Sequence, residues 1–244
     1  MSNIIKYFVL IAFSNPLLAD DFFEWTTTNI QFLHGSGFEL GSNKRSLFRI
    51  EHTNSWRYGK NFTFVDVTQR DDFGTELYGE WYSGLSLNKL TNEDFSIGII
   101  RDFSFLAGIN AGNDPKDDPF KAYLLGVEMS FAVPGDGFFN LGVLARKSDD
   151  VRTVGIQITP SWSVPFHIGE LKLEFSGFFD LVDGRSSGGK TYLLAKPQLL
   201  LDIGNVFAVP GKIFAGIEYA YWRNKFGLKG VTEQSIQGMI KIYF

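Results

Sequence analysis

The chain is expected to fold as an all-β protein, a single antiparallel transmembrane β-barrel of about 12 strands. Three observations point there. Residues 76–86 alternate, with Leu77, Trp81 and Leu85 on one parity and Glu76, Tyr78, Glu80, Tyr82 and Ser86 on the other. A side-chain period of two makes one apolar face and one acidic, aromatic face from that pattern. The alternation persists to the last residue, where Ile236, Ile240, Ile242 and Phe244 share a parity. The first 19 residues, finally, read as an export leader.

Taken in order, residues 1–19 supply Lys6 as a positive start, 7–13 as an apolar middle and Leu17, Leu18 and Ala19 as a cleavage site, the parts of a secretory signal peptide. Asn15 and Pro16 interrupt the apolar run, which is shorter than the ~20 residues a membrane helix needs. Residues 20–244 are then the barrel domain. Candidate strands fall at 25–34, 46–54, 61–68, 76–87, 99–112 and 120–133. The second half continues with 138–147, 153–164, 171–181, 191–203, 213–222 and 233–244. Lengths of roughly 9 to 14 residues suit tilted strands that cross a bilayer. No segment shows a helical period and no linker divides the chain.

The eighth strand alternates most cleanly, with Val154, Ile156, Ile158, Pro160, Trp162 and Val164 against Thr153, Gln157, Thr159, Ser161 and Ser163. A soluble sandwich also alternates, but its polar side seldom recruits so many large aromatics. Trp81, Phe131, Trp162 and Tyr221 lie on the apolar parity and are expected at strand ends, as interfacial girdles. With a periplasmic N-terminus, the connections 35–45, 113–119 and 184–190 are extracellular, rich in Gly, Ser and charge, and open to phage or toxin binding. Connections of the other set include the tight 134–137 turn and 205–212, and an even strand count returns the C-terminus to the periplasm. The outer belt faces outer-membrane lipid, which places the protein in the bacterial outer membrane.

Composition narrows the function. Lys and Arg number 23 against 27 Asp and Glu, a net charge of −4, which argues against a nucleic-acid partner. With no cysteine and three scattered histidines, His34, His52 and His167, the chain has neither a disulfide framework nor a metal-ligand cluster. No cofactor is implied, and the barrel must close by strand pairing alone.

Residues 89–98, KLTNEDFSIG, resemble the segment Lys-Leu-Thr-Asn-x-Asp-Leu-Ser-Phe-Gly of the nucleoside-specific channel-forming (Tsx-like) outer-membrane proteins. Phe95 and Ile97 stand where that family often has Leu and Phe. Residues 61–66, an aromatic strand ending in Asp66, and the Tyr243-Phe244 terminus are similar as well. The resemblance implies a twelve-stranded barrel that passes nucleosides through a narrow lumen. None of the family's nucleoside-contacting residues is carried over onto this chain.

Two motifs suggest other chemistry. Residues 184–191, GRSSGGKT, match the P-loop pattern, but a phosphate cradle sits between a buried strand and a helix, and 191–203 alternates as a strand. His34 and Ser36 raise an outer-membrane lipid hydrolase, which requires a Ser, a His and a third, orienting group within hydrogen-bond reach. No catalytic residue is assigned.

Function is expected in the lumen. Phe62, Phe64, Tyr78, Tyr82, Phe138, Phe178, Tyr192 and Trp222 lie on the polar parity, where their rings offer stacking surfaces to a nucleobase. Inward carboxylates can accept from ribose hydroxyls. The substrate-path candidates are Phe62, Phe64, Asp66, Tyr78, Glu80, Tyr82, Glu128, Phe178 and Trp222. The reading is a passive, substrate-preferring porin for nucleosides or similar small neutral solutes; the alternatives are a structural or receptor barrel with a plugged lumen, and the lipid hydrolase.

Overall fold

The computed structural model describes residues 22–71, 74–113 and 119–244; the expected leader and most of the 113–119 connection lie outside them. The strands are β1 (Phe23–Ser36), β2 (Lys44–Trp56), β3 (Gly59–Arg70), β4 (Gly74–Ser86), β5 (Ile100–Asn113) and β6 (Phe120–Phe131). There follow β7 (Phe138–Ser148), β8 (Gly155–Ile168), β9 (Leu171–Val182), β10, β11 (Ile213–Arg223) and β12 (Thr232–Tyr243). Strand β10 comes in two pieces, Tyr192–Ala195 and Gln198–Asp202. Both pieces keep one register with β9 and one with β11, so they form a single stave. Pro197 has no N–H to give the ladder, which explains the gap. The expected continuous strand at 191–203 is corrected to that extent.

Every neighbour pairs antiparallel, and β1 closes the sheet by pairing with β12, from Asn29 opposite Tyr243 to Ser36 opposite Ile236. Closure removes both edges. The result is a 12-stave barrel.

Burial identifies the two faces. Phe105, Leu125, Ile236 and Ile240 are exposed on the outer parity, while Gln31, Glu218 and Ser235 on the inner parity are 0% exposed. A soluble protein has the opposite arrangement. An apolar outer belt around a polar interior suits hydrocarbon, where backbone groups must be satisfied within a closed barrel. The protein is therefore an outer-membrane barrel. Among the expected girdle residues, Phe131 ends β6 and Tyr221 lies near the end of β11, whereas Trp162 sits in the middle of β8, a correction to its expected place. Trp81 sits well inside β4, a correction to its expected place.

The connections are less uniform than expected. At the end where β1 begins and β12 finishes, the Arg57–Tyr58 turn is tight, but residues 87–99 form a long connection that contains a short helix, α1 (Leu87–Thr91). Ser86 caps α1 by accepting from the Lys89 N–H at 3.1 Å, as a hydroxyl does at a helix start. Five residues are too few to show a helical period. At the opposite end, residues 184–187 form α2 (Gly184–Ser187), capped by Asp183. Its N-terminus is thus occupied by its own chain, and it connects two barrel staves rather than following a buried strand into a long helix, so the P-loop reading has no structural support.

Candidate functional site in the barrel lumen

The bore is built from inward parities that the alternation dictates. Phe62, Phe64 and Asp66 on β3 stand opposite Tyr82, Glu80 and Tyr78 on β4. All nine candidate residues face the lumen, but they do not form one site.

Phe62, Phe64, Tyr78, Glu80 and Tyr82 make one wall. The rings of Phe62 and Phe64 lie 6.0 Å apart, and those of Phe64 and Tyr78 5.8 Å apart. Tyr78 continues onto Phe120, nearly parallel at 6.1 Å. On β5, Gly112 and Gly108 make room for this wall: a Cβ on Gly108 would fall 2.4 Å from the Tyr82 ring. Asn110 ties the polar tips together. It donates to Glu80 Oε1 at 3.0 Å and to the Tyr78 hydroxyl at 3.3 Å, and accepts from the Tyr82 hydroxyl at 2.9 Å. Tyr78 also donates to Glu80. Asn110 was not among the residues expected from sequence; its inward neighbours on β5 are small, and its partners lie about 30 residues away in the chain.

Asp66 belongs to a separate network behind that wall. Arg49 grips it with two bonds, 2.6 and 2.8 Å, and reaches Gln31 and Glu218 at 3.3 Å. Glu218 also accepts from Gln198 at 2.7 Å and Gln237 at 3.1 Å. Every one of these groups is buried, and a buried charge is tolerated when it is paired and bonded in this way. Glu128 pairs with Lys60 at 2.6 Å, and Glu174 with Lys241 at 3.5 Å. Leu106, Leu124 and Leu144 pack inside the bore against Tyr82, as do Leu33, Leu200 and Met239 against Leu47 and Phe214. The lumen is narrow and lined by touching side chains.

The far wall carries Asp180, which accepts from Gln157 at 3.0 Å and from Thr159, with Arg146 bonded to Gln157 at 3.2 Å. Glu80, Asp180, Arg146 and Lys196 act on one another electrostatically across the bore. Phe178 faces inward on β9 opposite Ser161, apart from the Phe62–Tyr82 wall in the sheet order.

Trp222 lies at the mouth rather than in the path's centre. Its ring meets Phe226 at 4.5 Å and Tyr192 at 6.1 Å, with the Lys225 ammonium 4.9 Å above it. Lys225 pairs with Glu233; burial pushes its ammonium down to about 8, against the upward pull of that carboxylate. The β1–β2 connection folds into the same mouth. The Glu39 N–H donates to Glu233 at 2.8 Å, while Arg45 bonds the Glu39 and Leu40 carbonyls and Arg70 the Leu40 carbonyl, at 3.1 to 3.2 Å.

The outer surface tests the hydrolase reading. His34 and Ser36 both point outward, and His34 bonds Ser46 on β2, at 2.9 Å, rather than Ser36. No carboxylate is hydrogen-bonded to either member of that pair among the described residues. Thr28 and His52 make the same kind of contact at 2.8 Å between the same two strands. Both are direct cross-strand neighbours, an ordinary device for pairing strands.

No protein-family model matches the chain, and no curated protein sequence matches it. Among solved structures it is similar to "NanC porin structure in rhombohedral crystal form", with TM-score 0.51 at 12% identity, covering 88% of this chain and 98% of that one. It is also similar to the KdgM porin, with TM-score 0.50 at 8% identity, covering 89% and 99%. The KdgM porin in complex with disordered oligogalacturonate gives 0.49 at 9% identity, covering 88% and 99%. At these identities the likeness to the first two is one of fold alone, a closed antiparallel β-barrel.

Proposed function

We propose that the barrel is a passive outer-membrane channel for small neutral solutes, nucleosides foremost, that performs no chemistry. The observation that carries the reading is the composition of the inner face. Its carboxylates and cations are interleaved and largely paired, as Arg49 is with Asp66 and Glu218, Lys60 with Glu128, and Lys241 with Glu174. A bore meant for acidic oligosaccharides would carry an excess of cations. This one offers little net field, but it does offer the ring wall of Phe62, Phe64, Tyr78 and Tyr82. Stacking on such rings contributes about 1 to 3 kcal/mol per base. Weak sites in series let a solute enter and still leave.

Planar-bilayer recording with purified barrel and adenosine tests this. Adenosine should interrupt the single-channel current, and replacing Tyr78 and Tyr82 together by Ala should weaken the interruption. Unchanged block in that double variant would remove the two rings from the path.

A second reading, a structural or receptor barrel with a filled lumen, is favoured by the packing of Leu106, Leu124, Leu144 and Tyr82 inside the bore. Absence of conductance from a folded barrel would select it over the channel.

A further inference from the structure

Two guanidinium groups in the bore, on β2 and β7, are treated differently by their surroundings. Arg49 spends its fork on Asp66 and its remaining donors on Gln31 and Glu218. Arg146, inward on β7 and only 7% exposed, makes one hydrogen bond, to the neutral amide of Gln157. Its Nε is buried without a partner, and among the described residues no carboxylate lies within ion-pair distance of it. An unsatisfied donor of a buried charged group is costly; the Nε is enclosed and out of a solute's reach, so an acceptor that the chain does not provide would meet the terminal nitrogens, of whose donors one is spent on Gln157.

The neighbouring acids are already occupied. Glu80 is held by Tyr78 and Asn110, and Asp180 by Gln157 and Thr159. With Lys196 they balance Arg146 in charge, and the electrostatic neighbourhood of the guanidinium also includes the rings of Tyr78, Tyr82 and Tyr192. Such a site favours a ligand that is neutral overall, flat, and equipped with two adjacent acceptors in its plane. A guanidinium fork fits that edge bidentately, whereas an ammonium does not.

We propose that Arg146 is the specificity-determining residue of the channel, receiving the oxo oxygen and ring nitrogen on one edge of a 6-oxopurine nucleoside. The inference rests on the nucleoside-channel reading and deepens it. Adenosine presents an amino donor where the oxo group would be, and so leaves one donor of the fork unpaired.

The test is single-channel block by inosine, adenosine, 7-deazainosine and galacturonate on the full barrel, wild type and Arg146→Lys. On wild type, inosine should block at about tenfold lower concentration than adenosine or 7-deazainosine, the discrimination of a bidentate contact. Arg146→Lys should abolish that preference while adenosine still blocks. The wild-type comparison of inosine with 7-deazainosine needs no variant, so a folding defect in Arg146→Lys leaves the inference open to refutation. Equal block by all three nucleosides, or a preference that survives Arg146→Lys, overturns the role of Arg146 and leaves the channel reading intact. Block by galacturonate that exceeds inosine and vanishes in Arg146→Lys overturns it in favour of an acidic sugar. If no nucleoside affects the current, the nucleoside reading of the channel falls and this inference with it.

Discussion

The Lys60 ammonium on β3 meets Glu128 Oε1 on β6 at 2.6 Å, reaching past β4 and β5. The pair is a chord across the bore rather than a link between adjacent staves. Replacing both residues by Ala removes the chord without stranding a charge, and single-channel conductance should rise. Stability should change by less than about 1 kcal/mol, because the Lys60 side chain is partly solvated. Glu128→Gln alone leaves Lys60 uncompensated and should shift reversal potentials toward anion preference. A conductance indifferent to the double substitution would place the chord off the ion path.

Arg49 holds two buried carboxylates at once. Arg49→Met leaves Asp66 and Glu218 without their cation and should cost about 3 to 5 kcal/mol, the range for breaking a buried pair from one side. Urea unfolding in detergent micelles measures it. Adding Asp66→Asn to Arg49→Met should recover part of the loss.

Gly108 gives the Tyr82 ring its seat. In Gly108→Ala the new methyl would meet that ring at 2.4 Å, so the ring must move and its bond to Asn110 must stretch. A loss of about 1 to 3 kcal/mol is expected from the overpacking, together with weaker adenosine block. An unchanged affinity would mean that Tyr82 does not touch the solute.

Asp183 accepts from the Arg185 backbone N–H and side chain, and these bonds hold its carboxyl below the ordinary aspartate range. A depressed folded value means that the contribution is complete above the unfolded value of 3.8 and is lost as pH falls through the folded one. Hydrogen exchange at the Arg185 amide, corrected for its intrinsic rate, should therefore lose protection below that range. Asp183→Asn, which keeps the acceptor, should remove the pH dependence.

The barrel was legible in the sequence because lipid on one side and a polar bore on the other impose a strict period of two. That logic places Tyr78, Glu80 and Tyr82 on β4 inward, along with Gln157 on β8 and Asp180 on β9. It has no way to register the proline gap between Ala195 and Gln198, because the side-chain parity continues through it. Nor could alternation separate Asp66, taken up by Arg49, from Glu80, which belongs to the ring wall; both are simply inward acids. The isolation of Arg146 is likewise a property of what surrounds it in space. The contacts of Trp222 with Phe226 and Lys225 come from the turn that follows it and fix it at the mouth, a position along the bore that parity alone does not give.

The pairing of β1 with β12 joins residues some two hundred positions apart. Contacts that distant form late, since a long chain loop must be closed before they are made. Arg49 with Glu218, and Glu39 with Glu233, bridge the same interval. Until the barrel closes, Glu218 lacks the Arg49 cation and is costly to carry into hydrocarbon. The seam between the two ends of the sheet thus carries a charge pair as well as a backbone ladder, so closing the barrel and neutralising Glu218 are one step.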